Sequence, residues 1–165
     1  MLVIGVDPGT ASTGYGLLRQ HRDGQLDLID FGMISTTAGK PMATRLLDLY
    51  QVLTEIIDNF QPDAAAVEKL YFQRNVSTAI TVGQARGVAM LALAQVGIPI
   101  EEYSPKEIKV AVTGYGNADK GQMQSMVKVL LRMEDIPKPD DAADALAVAI
   151  CHCHSQKLRS LGGHS

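Results

Sequence analysis

The sequence predicts an α/β domain built on a mixed five-stranded sheet flanked by helices. Three β-rich runs occupy the first 35 residues, two of them joined by a short turn, and from residue 41 onward helical and strand periodicities alternate. The short turn makes its pair antiparallel, and the alternation makes the later strands parallel.

Leu2-Val3-Ile4-Gly5-Val6 is short, β-branched and stopped by Asp7-Pro8-Gly9, which predicts a buried strand. Thr13 to Arg19 and Gln25 to Ser35 follow as strands, with Arg22-Asp23-Gly24 supplying hairpin chemistry between them. From Pro41 to Phe60 the period changes: Met42, Leu46, Leu49, Leu53, Ile56, Ile57 and Phe60 form the apolar stripe of a surface helix. Gln61-Pro62-Asp63 breaks it, and Ala64 to Val67 is a short central strand ending at Glu68. A second helix is predicted from about Asn75 to Val96 and a fifth strand from Ile98 to Tyr103. Ser104-Pro105-Lys106-Glu107 combines an N-cap, a proline at the first helical position and a glutamate at the third, so a helix starts there. Beyond the glycine-rich Thr113–Asn117 loop, helices are predicted over Asp119–Met133 and Asp141–Gln156, split by Pro137-Lys138-Pro139. Residues 158–165 read as a flexible tail behind one domain of residues 1–157.

With 15 Lys+Arg against 18 Asp+Glu, the net charge of −3 excludes a histone-like basic coat. At 46% apolar and 20% charged residues the chain is an ordinary globular one, not a disordered one. Its two cysteines, Cys151 and Cys153, stand too close for a disulfide framework, which predicts a reducing compartment. No apolar run reaches the ~18 residues of a membrane span, and no secretory signal pattern opens the chain. The expectation is a cytoplasmic protein with no membrane partner.

Four acids stand out by position. Asp7 and Glu68 each close a strand, where sites form in α/β sheets. Asp141 and Asp144 lie three apart at a helix start, about 60° from each other around the axis, so both can face one point. The bland alternatives are a turn residue for Asp7 and cap or dipole roles for the helical acids, with Asp140 the bland case because one of Asp140 and Asp141 can cap the helix. Glu68 resists such a reading, because Ala64-Ala65-Ala66-Val67 offers it no polar company. Converging carboxylates repel and raise one another's pKa unless a cation intervenes. An all-oxygen set suits Mg2+ or Mn2+ and disfavours zinc. Two such ions per subunit would suit in-line phosphoryl displacement, one activating water and one stabilising the leaving oxygen.

Gly5-Val6-Asp7-Pro8-Gly9-Thr10, running on to Gly14-Tyr15-Gly16, resembles the opening of the RuvC-type Holliday junction resolvases. So do Val67-Glu68, Asn75, Gly83-Gln84-Ala85-Arg86-Gly87 and Asp141-Ala142-Ala143-Asp144-Ala145-Leu146-Ala147, in the expected order over nearly the whole chain. The resemblance implies a ribonuclease H-like fold and a homodimeric, metal-dependent endonuclease that nicks two strands of like polarity at four-way DNA junctions. It implies Asp7, Glu68, Asp141 and Asp144 as the catalytic, metal-holding acids. A branch-migration motor complex as partner is implied in the same way.

Charge is unevenly spread: residues 1–68 carry net −5, residues 69–128 net +3 and residues 129–165 net −1. The middle stretch is the natural phosphate-facing region. Lys109 and Lys120 flank the glycine-rich loop and, by the resemblance, contact DNA near the scissile phosphate; the alternative is two solvated helix lysines. Lys69 and Arg74 are further candidates, while Arg86 could instead support helix packing. Tyr71 and Phe72 follow Glu68 almost at once, and Tyr71 is the candidate to stack on unpaired junction bases. Ala79, Gly83 and Gly87 recur every four residues along the second helix, either packing on the sheet or meeting another helix; the resemblance implies the dimer interface. Cys151-His152-Cys153-His154 alternate around a helix and so do not enclose one tetrahedral zinc.

Other classes compete. An actin-like phosphotransferase would use Asp7-Pro8-Gly9-Thr10 near ATP but needs two such domains. A junction-binding module without catalysis gains nothing from acids that repel phosphate. A nuclease of the same fold acting on RNA is the remaining alternative.

Overall fold

The computed structural model describes residues 1–70 and 76–162. Strands β1 (Leu2–Asp7), β2 (Ser12–Gln20) and β3 (Leu26–Ser35) are followed by helix α1 (Met42–Phe60), strand β4 (Ala64–Glu68), helix α2 (Val76–Gln95) and strand β5 (Ile100–Tyr103). Helices α3 (Pro105–Thr113), α4 (Lys120–Leu130) and α5 (Asp140–Gly162) complete the chain. The sheet order is β3-β2-β1-β4-β5. β1–β2 and β2–β3 pair antiparallel, while β1–β4 and β4–β5 pair parallel.

The hairpin turn closes as its residues require, with His21 N–H donating to Gln25 O and Gly24 at φ 91°. The Ser104–Glu107 capping box forms in both directions, and Asp119 and Gln122 build a second one at α4. β5 starts two residues later than its apolar pattern suggests, because Pro99 has no N–H to give to a ladder. α5 continues as helix through Gly162, past the Gln156 at which the sequence pattern ends it. Arg159 pairs with Glu101 of β5 at 3.1 Å and Lys157 Nζ reaches Asp23 O in the hairpin turn at 3.1 Å. Both hold a turn of helix that sequence alone leaves without an apolar reason to form.

Parity along the strands sorts two cores. Leu2, Ile4 and Val6 of β1 and Ala65 and Val67 of β4 pack with Leu49, Leu53, Ala89 and Leu93 beneath α1 and α2. Val3 and Ala66 join the opposite core under α3, α4 and α5, with Tyr103, Val127, Leu146 and Ile150. By the same alternation Asp7 and Glu68 belong to the α5 side.

α5 lies directly on this face because β1 and β2 carry glycines beneath it, at Gly5, Gly14 and Gly16. A methyl on Gly5 would sit 2.2 Å from Ala145 O, one on Gly14 1.9 Å from Asp141 O, and one on Gly16 2.7 Å from Leu146 Cδ2. Gly5 pairs with Gly16 and Asp7 with Gly14, so the three glycines form one floor that ends at Asp7. Gly14→Ala therefore lifts the first turn of α5, with a loss of roughly 1–3 kcal/mol or more typical of overpacking. Denaturant unfolding checks the loss, and isothermal titration of Mg2+ should show weakened binding in the folded variant.

Candidate active site

The acids converge from three elements. Asp7 ends β1, Glu68 ends β4 one step beyond the Val6–Val67 pairing, and Asp141 and Asp144 occupy the first turn of α5 over the glycine floor. Asp7, Asp141 and Asp144 each offer an oxygen such that all three lie within 4.8 Å of one another. Glu68 lies outside that group of three, but its charge acts on Asp7. It also lines a ≈ 240 Å³ cleft with Asp144, Lys109 and Lys120.

The electrostatics follow from this crowding. Burial, then the neighbouring Glu68, Asp144 and Asp141, push the Asp7 carboxyl up to about 8. Burial raises Glu68 as well, and raises Asp144 against the opposing pull of Lys120. The crowding favours the protonated form of Asp7 where no cation is bound, and the oxygen-only donors fit a hard divalent ion.

Several neighbours hold these acids in place. Ser12 Oγ donates to Asp141 Oδ2 at 2.6 Å. The Pro8–Ala11 loop is pinned by Thr13 Oγ1 donating to Gly9 O at 2.8 Å and Thr36 Oγ1 donating to Thr10 O at 2.6 Å. Arg86 donates from Nε to Glu68 O at 3.4 Å and pairs with Glu102 at 2.8 Å, so it supports the end of β4. Ser12 escaped the sequence reading because a serine opening a strand is unremarkable until α5 is seated over it.

Lys120 pairs with Asp140 at 2.9 Å and approaches Asp144 at 3.7 Å. Asp140 also accepts from Gln124 Nε2 at 2.9 Å, and these two contacts hold its carboxyl below the usual range. Asp140, expected to be a helix cap, is thus the tie between α5 and α4 that sets Lys120 beside the acids. Lys69 is exposed just past Glu68. Tyr71 and Arg74, together with Phe72 and Asn75, lie outside the described residues. Cys151, His152 and Cys153 are buried in the core, with Tyr103 Oη 3.0 Å from His152 Nδ1, and burial pushes both thiols up to about 12. His154 points elsewhere, with Nδ1 2.8 Å from Ala111 O.

Residues 3–152 match the family described as crossover junction endodeoxyribonuclease RuvC. The chain belongs to that family. It is 57% identical over 155 residues to the crossover junction endodeoxyribonuclease RuvC of Chloroflexus aurantiacus, covering 94% of each chain. To the protein of that name from Desulfitobacterium hafniense it is 53% identical over 164 residues, covering 99% of each. Among solved structures it is similar to Thermus thermophilus RuvC in complex with a Holliday junction substrate, with a TM-score of 0.90, 31% identity and 96% of each chain covered. The mixed-sheet α/β reading of the sequence agrees with this architecture.

A carboxyl titrating near 8 in the folded chain and near 4 when unfolded adds stability that is complete below pH 4 and is lost as pH rises through 8. Metal-free protein should therefore lose stability over that interval relative to Asp7→Asn, by an amount on the order of a few kcal/mol. Urea unfolding of both proteins at pH 5 and pH 9 in EDTA measures the difference. Protons compete with the cation at the same oxygens, so thermal stabilisation by Mg2+ should grow from pH 6 to pH 9 in the parent and vanish in the variant.

Proposed function

We propose that this protein resolves four-way DNA junctions by paired, metal-dependent nicks. The observation that carries this reading is the crowding of Asp7, Asp141 and Asp144 within 4.8 Å, beside Glu68 and a lysine-lined cleft, in a chain of the RuvC family. Asp7, Glu68, Asp141 and Asp144 would hold Mg2+, or Mn2+ in its place, with two ions per subunit. Bound there, the ions supply an activated water and charge neutralisation for phosphodiester hydrolysis.

The protein's own part is to place phosphate and to keep the acids ready. Lys109 and Lys120 line the cleft with Glu68 and Asp144, so a phosphate drawn to the lysines is brought against the carboxylates. Lys120 leaves Asp140 to do so, trading a solvent-exposed ion pair for a phosphate. Ser12 keeps Asp141 turned inward, and Arg86 fixes the carbonyl of Glu68. Lys69, Tyr71 and Arg74 are the further DNA contacts in this proposal.

Paired nicking needs a second copy. α2 leaves Ile80 58% and Leu91 55% exposed, and Gly87 between them has nothing within 4 Å of where a side chain would begin. Gly83 meets only Leu70, at 3.7 Å. The ~1 kcal/mol cost of each helical glycine is thus not offset by α2's own sheet, which supports a homodimer through this face. Cytoplasmic residence, a nuclease domain of residues 1–157 and a branch-migration motor complex as partner complete the proposal. Among the described residues no helix is long and apolar enough to cross a membrane.

Incubation with a synthetic four-way junction, a linear duplex and a structured RNA, in Mg2+ or EDTA, tests the reading. Cleavage of the junction alone, abolished by EDTA, is expected; equal cutting of duplex or RNA, or activity in EDTA, overturns it. Asp7→Asn should lower cleavage by at least about a thousandfold while junction binding persists. Leu91→Glu should shift the protein to monomer in sedimentation and convert symmetric paired nicks into single ones.

A further inference from the structure

A second cleft of ≈ 450 Å³ opens on the other side of the acids, lined by Asp7, Asp141, Thr10, Arg45, Thr78 and Thr81. The lysine cleft is bounded by Glu68 and Asp144, and this one by Asp7 and Asp141, so the two flank the same cluster. A DNA strand whose scissile phosphate sits at the acids must enter on one side and leave on the other.

Arg45, in the first turn of α1, is half-buried and faces this cleft without a carboxylate within 4.0 Å among the described residues. Its fork is fixed: Nε donates to Thr36 Oγ1 at 2.9 Å and one terminal nitrogen donates to Thr10 O at 3.0 Å. A guanidinium carries five donors, so three remain for a ligand, on a plane already set by the other two. Arginine held this way binds phosphate in a planar, two-toothed manner. Thr10 Oγ1 is buried and finds no partner among the described residues. Such a hydroxyl is costly unless a ligand oxygen or water completes it. Thr78, exposed in the first turn of α2, adds a hydroxyl where the helix end favours negative charge.

We infer that this cleft binds the backbone phosphate next to the scissile one on the side away from Lys109 and Lys120, with Arg45 as its main ligand and Thr78 as a second. The inference rests on the nuclease reading above, and it gives Arg45 a role in binding as well as in bracing the Pro8–Ala11 loop. Two basic groups then hold the strand on either side of the acids, so that the phosphate between them is kept in register with the reacting oxygens.

The test is junction binding in EDTA across a salt series for the parent, Arg45→Ala, Arg45→Lys, Thr78→Val and Lys120→Ala, each checked by thermal melting. Arg45→Ala should weaken binding about tenfold and make the log–log salt slope shallower by about 0.9. Arg45→Lys should keep the slope while binding more weakly, and Thr78→Val should bind severalfold more weakly with its melting temperature unchanged. A purely structural Arg45 would leave the slope where it is, which overturns the inference. Should Arg45→Ala not fold, parental affinity in Thr78→Val overturns it instead. A Lys120→Ala slope that shallows while Arg45→Ala does not would sink this cleft and leave the nuclease reading standing. A parent that neither binds nor cuts the junction removes both.

Discussion

The contact on which the rest depends is that of α5 against bare backbone at Gly5, Gly14 and Gly16. With the would-be methyl positions 1.9 to 2.7 Å from α5 atoms, no other residue allows this approach. It brings Asp141 and Asp144 down to Asp7, and it lets Ser12 reach Asp141. The same contact buries Ala145, Leu146, Ala149 and Ile150 against the sheet, so core packing and the geometry of the acid cluster are one set of interactions. A helix held even one methyl farther away would leave three acids facing solvent in place of a cation site.

That arrangement sets folding against function. Burial and mutual repulsion make the ionised cluster unfavourable, as the rise of Asp7 to about 8 expresses. The hydrophobic cores on both faces of the sheet hold the acids together regardless. The basic groups are arranged around this strain: Lys120 is tied to Asp140 at the edge of one cleft, and Arg45 is braced on Thr10 and Thr36 at the edge of the other. A net charge of −3 therefore misdescribes the surface, because four of the 18 acids are gathered into one cluster.

Much of this was legible in the residues. The β-rich start, the turn at Arg22-Asp23-Gly24, the helical stripe of α1 and the capping box at Ser104 are local signals with local causes, and the elements form where those causes act. The four acids were legible because each stands at a strand end or helix start. What stayed hidden depends on contacts distant in sequence. Asp140 read as a cap because its partners, Lys120 and Gln124, lie on another helix. Arg45 read as one more residue of an amphipathic helix because Thr10 and Thr36 reach it only when the sheet is assembled. The end of α5 read as a tail because what extends it is an ion pair to β5 and a bond to the hairpin turn.

The sequence by itself determined the order and type of the elements, the placing of Asp7 and Glu68 at strand ends, and the acidic chemistry of the site. Periodicity and capping act over a few residues, and they need no knowledge of the rest of the chain. Only the tertiary structure decided that three acids form the tight group with Glu68 beside them, that the glycines of β1 and β2 are the floor for α5, and that clefts open on both sides of the cluster. Those are distances between segments far apart in sequence, such as Gly14 and Asp141. Close packing sets them, and no local pattern encodes them.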